Sequence, residues 1–310
     1  MVAPVRCVYL IQSHTQPALL ARLVATLRSA SDGAIVVVHD ASRRPLDETV
    51  LAGTDATVIQ RRLPVRRGRF SCLEPYLEGV AHVLGTGEPF DWLVYLSGQD
   101  YPVRPVPAIE ADLRRSGADA FMAHWDVTSN DSPWPLRRAR RRYFHQYAEL
   151  PDRLAPWLRP LRPLEALTPL QFYLTYGALV GWPARRTPFS GSFRCFGGSM
   201  WHALSHRCVA FLAAELERRP DLVAYYRRTV VPDESLIPTV LANAEGLDIV
   251  PDNRRFADVH EQPGGHARVL GPADLVELTS GRYDFARRFD VEASAALLDA
   301  LDEQVRVAAR

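Results

Sequence analysis

Phe90-Asp91-Trp92-Leu93-Val94-Tyr95-Leu96, running into Ser97-Gly98-Gln99-Asp100-Tyr101-Pro102, reads as a fully buried strand that stops at a polar turn. It is the most apolar and β-prone run in the chain. Toward the amino terminus, Arg6 to Ile11 is another continuous apolar run, and Pro17 to Leu27 follows with Leu19, Leu20, Leu23, Val24 and Leu27 at helical spacing. Ala34 to Val38 is a further buried strand ending in His39-Asp40-Ala41-Ser42, and Thr57 to Gln60 is a short one. Strands without polar alternation, interleaved with helices, predict a mostly parallel sheet covered on both faces. Ligands of such sheets bind beyond the carboxyl ends of the strands. Ser13-His14, His39-Asp40 and Ser97 to Asp100 all fall there, so three clusters that singly read as loop chemistry share one candidate edge.

A chain of 310 residues, 47% hydrophobic, has the length for one large α/β domain or two small ones and can bury a substantial core. The formal charge of +1 argues against wholesale nucleic-acid binding. Every Lys or Arg position is Arg, which fits either a codon bias or sites that need forked donors. Cys7, Cys72, Cys195 and Cys208 are scattered, without zinc-ligand spacing or a disulfide framework, which points to a reducing compartment. The amino-terminal apolar run is too short for a signal peptide, and no run reaches the roughly 18 apolar residues of a membrane span. The expectation is a soluble, cytoplasmic protein without membrane insertion. No Gly-x-Gly-x-x-Gly follows the first strand and no Gly-Lys-Ser/Thr is present, which disfavours the dinucleotide and P-loop readings. After the Phe90 strand, Gln99-Asp100 offers one carboxylate where a metal-bridged diphosphate usually needs more oxygen ligands.

The second half carries three further features. Arg137, Arg138, Arg140, Arg141 and Arg142 cluster before Tyr143 in an excursion from the sheet, and prolines punctuate Pro151 to Pro169. The Arg run reads as a solvated helix face, an anion-binding wall or a nucleic-acid contact. Arg194 to Trp201 holds Gly197-Gly198-Ser199, where paired glycines admit close backbone approach to a ligand; Trp201 offers a sugar-stacking platform or fills core. A helix is expected over Ala203 to Arg218. Pro232-Asp233-Glu234 sits at the mouth of an apolar helical run to Ala244, and acidic residues there serve as an ordinary helix start or as a catalytic pair. Asp248 to Val250 reads as a short strand, the stretch from there to Leu270 as loop, and the chain closes with a helix from Pro272 and another over Val291 to Ala308.

In this order, the motifs resemble the core-2/I-branching glycosyltransferases, a family of β-1,6-N-acetylglucosaminyltransferases and peptide O-xylosyltransferases. The carriers are Tyr9-Leu10-Ile11-Gln12-Ser13-His14, His39-Asp40, Arg69-Phe70-Ser71, Tyr95 to Val103, Gly197-Gly198-Ser199 with Trp201, Pro232-Asp233-Glu234, His266-Ala267-Arg268, and Phe285-Ala286-Arg287-Arg288-Phe289-Asp290. The resemblance spans nearly the whole chain. It implies a GT-A-like single domain over 1–310, with a Rossmann-like central sheet, a nucleotide-sugar-binding half over 1–125 and an acceptor-side and catalytic half over 126–310. It also implies inversion at the anomeric carbon without a metal. Glu234 matches the family's general base, and Arg268 and Arg288 match the basic pair on the donor diphosphate, Arg288 standing where animal members have Lys. Ser13, His14, His39, Asp40, Arg69, Gly98, Gln99 and Asp100 fall to donor nucleotide and sugar, and Gly198, Ser199, Trp201, Arg142 and Tyr143 to the acceptor side.

The implied partners are a UDP-sugar and a hydroxyl-bearing glycan or small molecule, with no cofactor beyond that co-substrate. UDP-N-acetylglucosamine is the expected donor, with UDP-xylose as the in-class alternative. The chain departs from animal members in lacking their stem, membrane anchor and cysteine set, and in the direct His39-Asp40 adjacency. A non-catalytic nucleotide-sugar-binding protein of the same fold and an Arg-driven nucleic-acid binder are the competing functional classes.

Overall fold

The computed structural model describes residues 5–259 and 267–307; His266, Gly264, Gly265 and Ala308 lie outside the described residues. In chain order the strands are β1 (Cys7–Ser13), β2 (Ala34–Asp40), β3 (Thr57–Arg61), β4 (Trp92–Ser97), β5 (Asp100–Pro102), β6 (Ala120–Asp126), β7 (His145–Glu149), β8 (Gln171–Tyr173), β9 (Leu179–Pro183), β10 (Phe196–Ser205), β11 (Ile249–Val250), β12 (Arg255–Ala257) and β13 (Phe285–Arg287). The central sheet runs β11-β6-β10-β4-β1-β2-β3. Its pairs are parallel except where β10 lies antiparallel between β4 and β6. This is the expected mostly parallel, Rossmann-like α/β sheet.

Alternation of burial explains the absence of polar alternation in the sequence. Cys7, Tyr9 and Ile11 of β1, Ile35 and Val37 of β2, and Trp92, Val94 and Leu96 of β4 enter one core with the helix Pro17–Ala30 and Leu297, Leu298 and Leu301 of the last helix. Val8, Leu10, Val36, Val38, Leu93 and Tyr95 enter the other, under the helices Glu74–Gly85, His206–Arg218 and Leu236–Ala242. Both faces are therefore apolar, and each fully buried Leu or Val contributes about 1.5–3 kcal/mol before entropy is counted.

Two sequence expectations are corrected. Ala203 to Ser205 complete the ten-residue strand β10, and the helix starts at His206, capped by the Ser205 hydroxyl on the Cys208 amide. The acidic turn does not open an α-helix either. Pro232–Glu234 is a separate 3-10 turn entered through Val231 in the left-handed region (φ 57°), and Ser235 (φ −140°) breaks the path to Leu236–Ala242. Asp233 and Glu234 thus sit on a corner, outside the dipole of an α-helix.

A second sheet, β12-β13-β5, forms from segments that the sequence did not mark as strands. Its register sets Arg287 opposite Asp100 and Arg255 opposite Phe285. A third, β7-β9-β8, carries the excursion after the Arg-rich helix Leu136–Tyr143.

Candidate active site

The carboxyl ends of β1, β2 and β4 gather the predicted polar clusters. His39 Nε2 donates to the Arg44 carbonyl (3.0 Å), so its Nδ1 is free to accept from the Ser13 hydroxyl at 2.7 Å. Asp40 accepts from the Ser42 and Val65 amides, each at 3.0 Å; burial raises its pKa, but these bonds outweigh it and hold the carboxyl below the ordinary range. His14 is pulled below the usual imidazole range, first by desolvation and then, against Asp40, by His39, Arg288 and Arg287. Gly98 packs close on β1: a Cβ there would lie 3.1 Å from that of Ser13.

Asp100 is the anchor of this edge, at 1% exposure. Its carboxylate accepts from the Ser97 hydroxyl (2.5 Å) and amide (3.0 Å), and it faces Arg287 Nε at 3.6 Å and Arg255 Nη1 at 3.7 Å. Two guanidinium groups thus meet one carboxylate. Burial pulls Arg255 down to about 10, and it lowers Arg287 as well, which is the expected response of cations short of counter-charge. Gln99 Nε2, Arg255 Nη1 and Arg288 Nε are buried donors without an acceptor. Trp201 packs between Arg287, 4.3 Å above its ring, and Tyr95, 4.9 Å between centroids.

Beyond Tyr95 lies the acidic corner, and the Tyr95 phenol feels both Asp233 and Asp100. The corner is pinned by Val231 N to Gly68 O (2.9 Å), Tyr143 Oη to Val231 O (3.1 Å) and Ser235 Oγ to Phe196 O (2.7 Å). Arg142, 5% exposed, donates from Nη1 to Glu234 Oε2 at 2.6 Å, while the Glu234 side chain keeps 34% exposure. Asp233 is buried, its Oδ1 has no partner, and desolvation followed by the neighbouring Glu234 charge raises its pKa to about 7. The corner therefore offers one accessible, anchored carboxylate beside a hidden one.

The comparison that decides the family is the match of residues 8–278 to the Core-2/I-Branching enzyme family. The chain belongs to it. Among similar proteins, β-glucuronosyltransferase GlcAT14A of Arabidopsis thaliana is 25% identical over 240 residues, 74% of this chain and 46% of its own length. GlcAT14B of the same plant is 22% identical over 240 residues, 74% of this chain and 47% of its own. The chain thus spans about half the length of these curated relatives. Mouse xyloside xylosyltransferase 1, in its apo form, overlaps 90% of this chain and 97% of its own at 10% identity, with a TM-score of 0.36.

Within this core-2/I-branching chain the expected site residues do not all converge. Ser13, His14, His39, Asp40, Gly98, Gln99, Asp100 and Arg288 share the strand-end edge, with Trp201 against it; Arg142, Tyr143 and Glu234 share the acidic corner. Arg268 instead pairs with Asp258 (2.6 Å) and with both oxygens of Asp274, beside the turn Pro272–Asp274. Arg69 packs beside Glu149 of β7. Gly198 admits protein backbone: a Cβ there would lie 2.1 Å from the Ala123 carbonyl of β6, and one on Gly197 would lie 2.4 Å from the Trp134 ring. The Ser199 hydroxyl accepts the Trp201 amide at 3.2 Å. The Arg run divides, with Arg142 turned to Glu234, Arg141 over the Tyr173 ring and Arg138 over Trp134.

Sequence reading missed the Tyr173 and Tyr176 pair, stacked at 5.6 Å with Arg67 over Tyr176, whose phenol feels Arg142 and Glu234. It also missed Arg255, because β12 carries no apolar periodicity. The doubled Arg287-Arg288 was the signal available for Arg287. Among the described residues no three His, Cys, Asp or Glu side chains converge as a metal site would require, and no helix is long and apolar enough to cross a membrane.

Proposed function

We propose that this core-2/I-branching chain is an inverting, metal-independent glycosyltransferase that moves a sugar from a UDP-sugar to an acceptor hydroxyl. The observation that carries the reading is an acidic corner and a cationic edge that both lie within electrostatic reach of Tyr95. On one side stands the accessible Glu234 carboxylate, fixed by a buried guanidinium; on the other stand Arg255, Arg287 and Arg288, in excess over Asp100. Inversion asks for that layout. Glu234 takes the proton of the acceptor hydroxyl as its oxygen bonds to C1 from the face opposite the nucleotide. The C1–O bond to the β-phosphate breaks, and its electron pair leaves with UDP, where fixed cations stabilise the growing charge.

Arg288, with Nε unpartnered, is placed as the first diphosphate cation, and Arg268 joins it by giving up part of its hold on Asp258 and Asp274. The first half, 1–125, supplies the strand ends of the donor edge, and 126–310 supplies its guanidinium groups together with the base and the acceptor wall. N-acetylglucosamine is the donor sugar of this reading and xylose its in-class alternative. The names of the plant relatives add glucuronic acid as a second reading, for which the two guanidinium groups on Asp100 supply positive charge that a sugar carboxylate could meet.

Hydrolysis of UDP-N-acetylglucosamine, UDP-xylose and UDP-glucuronic acid, each with and without EDTA, tests the proposal without knowledge of the acceptor. Cleavage of one donor that survives chelation is expected. Strict dependence on added manganese overturns the metal-free mechanism, and UDP binding without hydrolysis or transfer indicates a non-catalytic binding protein.

A further inference from the structure

A groove of about 280 Å³ lies away from the strand-end edge, lined among others by Arg66, Arg69, Arg227 and Arg228 together with Glu74 and Glu149. Four cations face two carboxylates. Arg66 pairs with Glu149 and, at 2.8 Å, with Asp152, and Arg227 donates to Glu74 at 2.9 Å. Arg228 is exposed, its guanidinium 5.4 Å from the Trp182 ring.

Arg69 is the least satisfied of the four. Its side chain is 11% exposed, and Nη1 reaches only Glu149, at 3.6 Å, an oxygen pair it shares with Arg66. Nε and Nη2, which form one complete bidentate edge of the fork, are dehydrated and have no acceptor. Desolvation, and after it repulsion from Arg66, lowers the guanidinium to about 10. Gly177 packs directly against this unpaired fork, since a Cβ there would lie 2.9 Å from Nη2. A planar oxyanion that draws the Arg69 fork into the groove would satisfy two donors at once and be closed over by Arg228.

The groove also adjoins the acidic corner. Gly68, next to Arg69, accepts the Val231 amide that precedes Pro232-Asp233-Glu234, and Thr229 lines the groove five residues before Glu234. We infer that this groove binds an oxyanion group, a carboxylate or phosphate, carried by the acceptor, so that the chain prefers acidic over neutral acceptor saccharides. The acceptor assignment rests on the transferase reading above; the anion site does not.

Titration of the UDP-saturated chain with inorganic phosphate and with glucuronate tests the site while the donor edge is filled. Binding with a dissociation constant of about a millimolar is expected, weakened about tenfold in Arg69→Met and about threefold in Arg228→Gln. Arg228 is a surface residue, so its variant reads the groove even where Arg69→Met melts early. Undiminished affinity in both variants, or no binding of either anion, overturns the site. If UDP itself fails to bind, the transferase reading fails, yet the same variants in the unliganded chain still report on the groove. Transfer to glucuronate- or phosphate-bearing saccharides is expected with a KM about tenfold below that of neutral counterparts, an advantage cut to about threefold in Arg228→Gln. Equal KM values overturn the acceptor assignment, whether or not free phosphate binds.

Discussion

Arg142 and Glu234 form a 2.6 Å ion pair between a guanidinium that is 5% exposed and a carboxylate that is 34% exposed. The pair spans 92 residues and joins the Arg-rich helix to the acidic corner. Burial alone would favour the neutral guanidine, but the paired Glu234 carboxylate holds Arg142 charged. A cation locked in this way orients the carboxylate without blocking its second oxygen.

Glu234→Gln keeps the shape of the corner and removes the proton acceptor of the proposed mechanism. Turnover is expected to fall by about 10²–10⁴, the usual contribution of a general base, while UDP affinity stays within about threefold. Stopped or single-turnover assays with calorimetry for UDP check this, and retention of more than a tenth of wild-type turnover would show that Glu234 is not the base.

Arg142→Met removes the group that orients Glu234. A misaimed base costs rate rather than donor binding, so kcat is expected to drop about 10²-fold with little change in UDP affinity. Equal losses in kcat and in UDP affinity would mean that the variant has damaged the fold instead.

Asp233 makes stability depend on pH. Its folded pKa of about 7 lies above the ordinary 3.8, so between those values the folded state holds a proton that the unfolded state has released. Stability therefore falls as pH rises from about 4 to about 7 and is level beyond, a loss on the order of a few kcal/mol. Asp233→Asn should flatten that segment and melt above the wild type at pH 8. Thermal melts across pH 4 to 9 check it, and the same slope in both proteins would refute it.

Gly198→Ala tests whether that glycine serves the sheet. The added methyl would meet the Ala123 carbonyl at 2.1 Å, backbone against backbone, with no side chain free to yield. A loss of about 1–3 kcal/mol is expected, read as a lower melting temperature of the unliganded chain. An unchanged melting temperature would return Gly198 to a ligand-facing role.

The parallel half of the molecule was legible because burial on both faces leaves a mark in the sequence: β1, β2 and β4 are apolar at successive positions, and their ends are polar. The second sheet left no such mark. Asp100–Pro102 and Phe285–Arg287 are three residues each, and what pairs them is contact between residues far apart in the chain, such as Ala286 and Tyr101, rather than any local pattern. The break at Ser235 was hidden for a different reason. The apolar spacing of Leu236 to Leu241 suits a helix running on from Pro232, but the Ser235 and Thr239 hydroxyls both turn to the Phe196 carbonyl and pull the corner away from it. Arg268 could be recognised by motif, yet its hold on Asp258 and Asp274 is a tertiary fact that polar loop composition does not reveal.

That hold separates the two arginines that the motifs place on the diphosphate. Arg268 is satisfied in the unliganded chain by two carboxylates, so recruiting it to UDP means weakening existing charge-assisted bonds, and its net gain is small. Arg288 has an unpartnered, dehydrated Nε and lies close enough to His14 to depress that imidazole, so a diphosphate there gains a donor at no cost in protein contacts. Arg288→Met is expected to weaken UDP binding tenfold or more, against about threefold or less for Arg268→Met. Asp274→Asn, which loosens Arg268, is expected to tighten UDP binding slightly in the wild-type background and to do nothing in Arg268→Met. Calorimetric titration of UDP into the wild type and these four variants checks the order, and a larger loss at Arg268 than at Arg288 would mean that the Asp258 and Asp274 pairs hold Arg268 ready for the diphosphate instead of withholding it.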